Sequence, residues 1–169
     1  LRHPIGLRSV EGRGSVFHVD VPRAAVTPQS SAPAPAPAQA SALAGLLIAA
    51  LDNEPRILEG LTMMLEGWGC RVIAARDAAE ALAKAPRGER VSGVLADYHL
   101  DENRTGLEAI ARLRLDWGHA PAALITADRT DELREEARAA DVHVLNKPLK
   151  PAALRALLTQ WRARMEIEA

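Results

Sequence analysis

Four short apolar runs in this chain each end on a residue equipped for chemistry. Leu46 to Leu51 ends at Asp52, and Val94-Leu95-Ala96 ends at Asp97. Ala122 to Ile125 ends at Thr126, and Val142 to Asn146 ends at Lys147, with Pro148 next. If these runs are neighbouring parallel strands, two carboxylates, a hydroxyl and an ammonium meet at one sheet edge. Open α/β sheets place their ligands outside the carboxyl ends of the strands, so this edge is where function is to be sought.

Two carboxylates brought together repel unless a cation lies between them. Oxygen donors of this kind suit Mg2+ (or Mn2+), and Mg2+ keeps several waters and takes one or two carboxylates. A further oxygen can come from a backbone carbonyl just past Asp97, near His99. Such a cation and Lys147 would neutralise a phosphoryl group delivered to Asp97. A carboxylate can act as nucleophile and form an acyl phosphate. The protein's part in phosphoryl transfer is mostly positioning and charge stabilisation. Thr126 can donate its hydroxyl to a phosphoryl oxygen, and a cis bond at Lys147-Pro148 would set where the ammonium sits.

The elements that must position these residues are legible in the pattern. Strands are expected at Leu46–Leu51, Arg71–Ala75, Val91–Ala96, Ala122–Ile125 and Val142–Leu145, the apolar runs being of the kind buried in parallel sheets. Between them lie helical stripes. Pro55 opens the first, which carries Ile57, Leu58, Leu61, Met64, Leu65 and Trp68 before Gly69. Asp77 and Glu80 bracket the second, with Leu82 inward and Pro86 as the stop. Thr105 and Glu108 form a capping-box pattern before the third. Thr130–Ala140 is a charged fourth helix, and Pro151 opens a fifth carrying Leu154, Leu157, Leu158 and Trp161. Five strands alternating with five helices predict an α/β fold, a doubly wound five-stranded parallel sheet.

Residues 25–44 divide the chain. Their Ala-Pro tract offers no regular backbone ladder and little apolar bulk, and it reads as an extended linker. Residues 1–24 then read as an orphan hairpin, with Leu7–Val10 and Val16–Val21 as strands around Gly12-Arg13-Gly14. Phe17, Val19 and Val21 share one face. Two strands alone are marginal in water, so the hairpin is expected to belong to a larger domain.

Composition narrows the function classes. The net charge of −1 over 169 residues gives no basic footprint for nucleic acid. No apolar run is long enough to span a bilayer, and no signal peptide opens the chain. The single cysteine, Cys70, excludes an intrachain disulfide, fits a reducing cytoplasm and is expected to be a buried, inert thiol. No His/Cys cluster has zinc spacing, so His99 and His143 are ordinary loop and strand residues.

At this point the motifs form a set. Leu51-Asp52-Asn53-Glu54-Pro55, Leu95-Ala96-Asp97-Tyr98-His99-Leu100, Thr105-Gly106-Leu107-Glu108, Ile125-Thr126-Ala127 and Leu145-Asn146-Lys147-Pro148 come in one order. Together they resemble the response-regulator receiver domain, a flavodoxin-like (CheY-like) fold, over residues 45–165, with 166–169 as a tail. The resemblance implies Asp97 as phosphoacceptor, Asp52 in an acidic Mg2+ pocket shared with Asn53, Asp97 and the His99 backbone carbonyl, Thr126 as switch hydroxyl and Lys147 as phosphate-pairing lysine. Residues 7–17 resemble the closing strands of a histidine-kinase ATPase domain. Kinase end, linker and receiver in that order resemble the C-terminus of a hybrid sensor histidine kinase. The implied partners are a phosphohistidine donor, in cis or in trans, and a histidine phosphotransfer protein. A homodimer through the unprotected hairpin edges is a further expectation. The kinase family's ATP-binding boxes and phosphorylated histidine have no counterpart in this sequence, so no kinase activity is expected of it alone.

Two positions depart from the receiver pattern. Asn53 stands where the family usually has a second acid, which lowers the charge available to Mg2+. Val144 stands where many receivers carry a switch aromatic. These changes keep a rival reading open, a pseudo-receiver that docks partners without being phosphorylated. A haloacid-dehalogenase-type phosphohydrolase also uses Asp, Thr, Lys and Mg2+. Its nucleophile lies on the first strand, however, and its supporting acids follow the lysine, which is not the order here.

Overall fold

The computed structural model describes residues 3–10, 12, 14–21, 42–100 and 104–168. They fall into two compact units, one within Leu1–Pro37 and one within Ala38–Ala169. The predicted linker lies outside the described residues except for 42–44, as do Pro22 and Arg13 of the predicted hairpin.

The first unit is an antiparallel pair, β1 (Ile5–Val10) and β2 (Gly14–Val19). Ile5 faces Val19, Leu7 faces Phe17, and Val10 faces Gly14. Alternation therefore gathers Ile5, Leu7, Phe17 and Val19 on one face, and all four are exposed. The first strand starts two residues before its predicted span and ends with it at Val10, and the second is shifted two residues toward the N-terminus. The reason is the turn, where Gly12 and Gly14 both take positive φ and let the ladder close at Val10 and Gly14.

The second unit is the predicted α/β fold. Its elements are β3 (Leu47–Leu51), α1 (Pro55–Gly67), β4 (Arg71–Ala75), α2 (Ala78–Lys84), β5 (Gly93–Asp97), α3 (Gly106–Trp117), β6 (Ala122–Thr126), α4 (Asp131–Ala139), β7 (Val142–Asn146) and α5 (Pro151–Glu168). The five strands are all parallel, in the order β4-β3-β5-β6-β7. From β3 the chain first adds β4 on one side and then crosses to add β5 on the other. The topological switch point of the sheet therefore lies between β3 and β5.

Strand parity divides the core in two. Leu47, Ala49 and Leu51 of β3, Val94 and Ala96 of β5, and Ala122 and Leu124 of β6 pack with α2, α3 and α4. Ile48, Ala50, Leu95, Ala123 and Ile125 face Leu61 and Leu65 of α1 and Leu154, Leu157, Leu158 and Trp161 of α5. Every residue of β3, β5 and β6 is buried, which is why these strands read as continuous apolar runs. The Trp161 ring lies against Gly93, where a Cβ would come within 2.3 Å of it. The glycine that opens β5 is thus the space that the indole fills.

Local signals explain the helix ends. Pro55 occupies the first turn of α1. The Asp77 carboxylate accepts from the Glu80 amide at 2.8 Å and starts α2. The expected capping box opens α3: Thr105 Oγ1 accepts from the Glu108 amide, and Glu108 Oε2 accepts from the Thr105 amide.

Several expectations are corrected. Leu43 is fully buried beside Cys70 and Leu46, so the predicted linker gives way to core before residue 44. Ile57 is exposed rather than part of the inward stripe, because the first turn of α1 lies beyond the end of β3. Helix α5 runs through residues 166–168, which the sequence sets apart as a tail. The strand expected from Val91 begins at Gly93; before it, the Ser92 hydroxyl accepts from the Leu47 amide and the Ser92 amide donates to the Leu47 carbonyl. Cys70 is buried as expected, and burial pushes its thiol up. No helix among the described residues is long and apolar enough to cross a membrane.

Candidate functional site

Asp52 follows β3 directly, Asp97 ends β5, Thr126 ends β6 and Lys147 follows β7. These four strands are contiguous in the sheet, so the carboxyl edge brings all four residues together, as the sequence predicts. Asp52, Asp97 and Thr126 are each buried to within a few per cent. Burying polar side chains costs free energy unless they are paired, so their concentration at one edge is not a by-product of packing.

The pairing is specific. Lys147 Nζ lies 2.8 Å from Asp97 Oδ1. The Lys147 amide donates to the Thr126 carbonyl at 2.7 Å, which ties the lysine to the end of β6, and the Lys147-Pro148 bond is cis, as expected. Asp52 Oδ1 accepts from the Glu54 amide at 2.8 Å. Thr126 Oγ1 accepts from the Asp128 amide at 3.0 Å.

Tyr98, just past Asp97, is tied to the end of β6 and to the start of α3. The Tyr98 amide donates to the Ile125 carbonyl, and the Tyr98 carbonyl accepts from the Gly106 amide at 2.8 Å. A Cβ on Gly106 would come within 2.2 Å of the Asp97 carbonyl oxygen. His99 bridges to Thr105 and is exposed in the loop. His143 is exposed on β7, away from this edge in sequence register.

Burial pushes the Asp52 carboxyl above its ordinary value; the Glu54 amide pulls against it, Asp97 adds to it and Lys147 opposes it. A carboxyl raised in the folded state holds its proton to higher pH than in the unfolded chain. Stability therefore falls as pH rises from the ordinary value of 3.8 through the raised one, and above that window the ionised group costs stability. Asp52→Asn keeps an oxygen for the Glu54 amide and removes the charge. It is expected to raise Tm at neutral pH without divalent cation and to give no gain below the ordinary aspartate value. Thermal melts at two pH values check this; equal shifts at both would contradict it.

Among the described residues no three His, Cys, Asp or Glu side chains gather as a metal site, in keeping with Asn53 beside Asp52. The donor set still fits a hard cation. Two buried carboxylates at the switch point repel each other, and Mg2+ takes one or two carboxylates while keeping its waters.

Three features escape a reading of the sequence: the bridging Ser92, the close approach at Gly106, and Asp128. The last carries a signal in hindsight, since Thr126-x-Asp128-x-Thr130 spaces side-chain acceptors two residues before the amides they capture.

Known proteins share this fold. The family model for the response regulator receiver domain matches residues 48–159. The phyllosphere-induced regulator PhyR of Methylorubrum extorquens is 33% identical over 114 residues, which is 67% of this chain and 42% of that protein. The chain thus spans about two fifths of that relative's length. The solved structure of the chemotaxis protein CheY4 of Vibrio cholerae superposes with a TM-score of 0.61 at 27% identity, covering 69% of this chain and 98% of its own. A CheY-like receiver domain protein from Methanospirillum hungatei shares the fold with a TM-score of 0.65 at 23% identity, over 75% of this chain and 100% of its own. With its fold, its strand-end residues and its family match in agreement, the chain belongs to the response regulator receiver family.

Proposed function

We propose that the receiver domain, residues 45–165, accepts a phosphoryl group on Asp97 from a phosphohistidine. The observation that carries this reading is the buried Asp97 carboxylate with the Lys147 ammonium 2.8 Å from Oδ1. A carboxylate oxygen of Asp97 attacks phosphorus, the nitrogen–phosphorus bond breaks, and the leaving imidazole takes up a proton. Lys147 balances the charge on the phosphoryl oxygens, and the Thr126 hydroxyl donates to one of them. Asp52, Asp97, the Asn53 side-chain oxygen and the His99 carbonyl are the residues that would hold Mg2+. Bound there, the ion supplies the positive charge that two carboxylates and an incoming phosphoryl group need.

The same reading places residues 1–24 as the end of a kinase ATPase domain and residues 25–44 as the linker of a cytoplasmic hybrid sensor histidine kinase. The resemblance at residues 7–17 supports it. So does the apolar face of the hairpin, where Ile5, Leu7, Phe17 and Val19 are exposed. A histidine phosphotransfer protein is the expected next acceptor.

The test is incubation with acetyl phosphate and Mg2+, followed by intact mass. Wild type is expected to gain one phosphoryl group and Asp97→Asn none. A wild type that stays unlabelled while a control receiver is labelled would leave the docking-module reading, which Asn53 favours.

A further inference from the structure

Helix α4 starts without a side-chain cap of its own. Thr130 precedes it, makes no side-chain bond to the first turn, and accepts from the Arg134 amide only at a long 3.4 Å. The start is held instead by the residue two before: Asp128 Oδ1 accepts from the Thr130 amide at 2.8 Å. Asp128 is in turn held by the site, since its amide donates to Thr126 Oγ1 at 3.0 Å. Hydrogen bonds through Asp128 therefore link the buried strand-end hydroxyl to Thr130, the residue that precedes α4. Only Leu133 and Ala137 of that helix are buried, so little packing competes with these bonds in setting its start. Val144, the aliphatic residue on β7, is half-buried against the same core and has no rotating ring to offer.

We propose that Asp128 carries the position of the Thr126 hydroxyl to the start of α4, as a positioning residue that replaces an aromatic switch. The inference rests on the phosphoacceptor reading for what moves Thr126. A hydroxyl has one donor and two acceptor sites, so Thr126 can donate toward a phosphoryl oxygen on Asp97 while still accepting from Asp128. Displacement of Oγ1 then moves the Asp128 backbone, and its carboxylate moves the Thr130 amide.

Amide hydrogen exchange on the whole chain tests this in two arms. In the resting protein, Thr126→Val keeps the shape and loses the acceptor. Exchange at the Asp128 and Thr130 amides is expected to rise about fivefold, as for one lost hydrogen bond. Asp128→Ala is expected to raise exchange at Thr130, and adding Thr126→Val to it to raise Thr130 no further. Asp128→Asn, which keeps Oδ1, is expected to stay near wild type. Thr126→Val leaving Thr130 unchanged, or full additivity in the double variant, overturns the proposal. In the second arm, wild type and Asp128→Ala are labelled with acetyl phosphate to equal extent by mass, and only wild type and Asp128→Asn change exchange in the first turn of α4. A labelled Asp128→Ala that keeps the full α4 response overturns the proposal. A wild type that takes no phosphate yet shows the resting coupling supports the relay and refutes the phosphoacceptor reading.

Discussion

Lys147→Ala is expected to slow acetyl-phosphate labelling of Asp97 by about 10²-fold, the lower end of what removing one preorganised donor costs at a developing charge. The lower end applies because the Lys147 side chain is 32% exposed, so water can partly replace the ammonium. The substitution has a second, separable effect. Lys147 opposes the rise of the Asp52 carboxyl, so without it Asp52 and Asp97 face each other with less compensation. The Tm gained on adding Mg2+ at neutral pH is therefore expected to be larger in Lys147→Ala than in wild type. Lys147→Arg is not expected to restore the rate, since a planar fork does not replace a compact point charge. Labelling at the wild-type rate in Lys147→Ala would remove the lysine from the site.

The second large effect lies at a residue with no side chain. Gly106→Ala puts a methyl group 2.2 Å from the Asp97 carbonyl oxygen and 2.7 Å from Leu124 Cδ1. Alanine is the better helix former by about 1 kcal/mol, which alone would stabilise α3. The clash opposes that gain, and it is with backbone, which cannot rotate away. Overpacking costs of about 1–3 kcal/mol, occasionally more, are ordinary where the neighbours can shift. A net loss of about 2 kcal/mol in urea unfolding is expected at a site held by backbone. The shift needed to relieve it moves the Asp97–Tyr98 peptide, so labelling of Asp97 is expected to fall with stability. A variant as stable as wild type would show that α3 can step back from β5 freely.

The core and the site were legible to different depths. Buried parallel strands show as unbroken apolar runs, and a polar or charged residue that ends one is conspicuous, so Asp52, Asp97, Thr126 and Lys147 could be read from their places alone. Caps also show, because Thr105 and Glu108 need a fixed spacing. Gly106 was visible as a letter in a motif, but the approach of α3 to the Asp97 carbonyl belongs to packing between elements far apart in sequence. Leu43 was hidden by the Ala- and Pro-rich composition around it. Ile57 misled because helical spacing defines a stripe and says nothing of where the underlying sheet ends.

The order of the strands has a consequence for how the domain matures. Asp52 follows the first strand of the sheet in chain order, Asp97 and Thr126 end the third and fourth, and Lys147 follows the last, β7, an edge strand beside β6. Synthesis runs from the N-terminus, so a growing chain holds both carboxylates and the hydroxyl well before it holds the lysine. Until β7 docks, the two acids have no internal ammonium between them. Completion of the sheet and pairing of the buried acid are therefore one event, and a domain whose last strand has not docked, or has frayed, leaves Asp97 without the Lys147 ammonium.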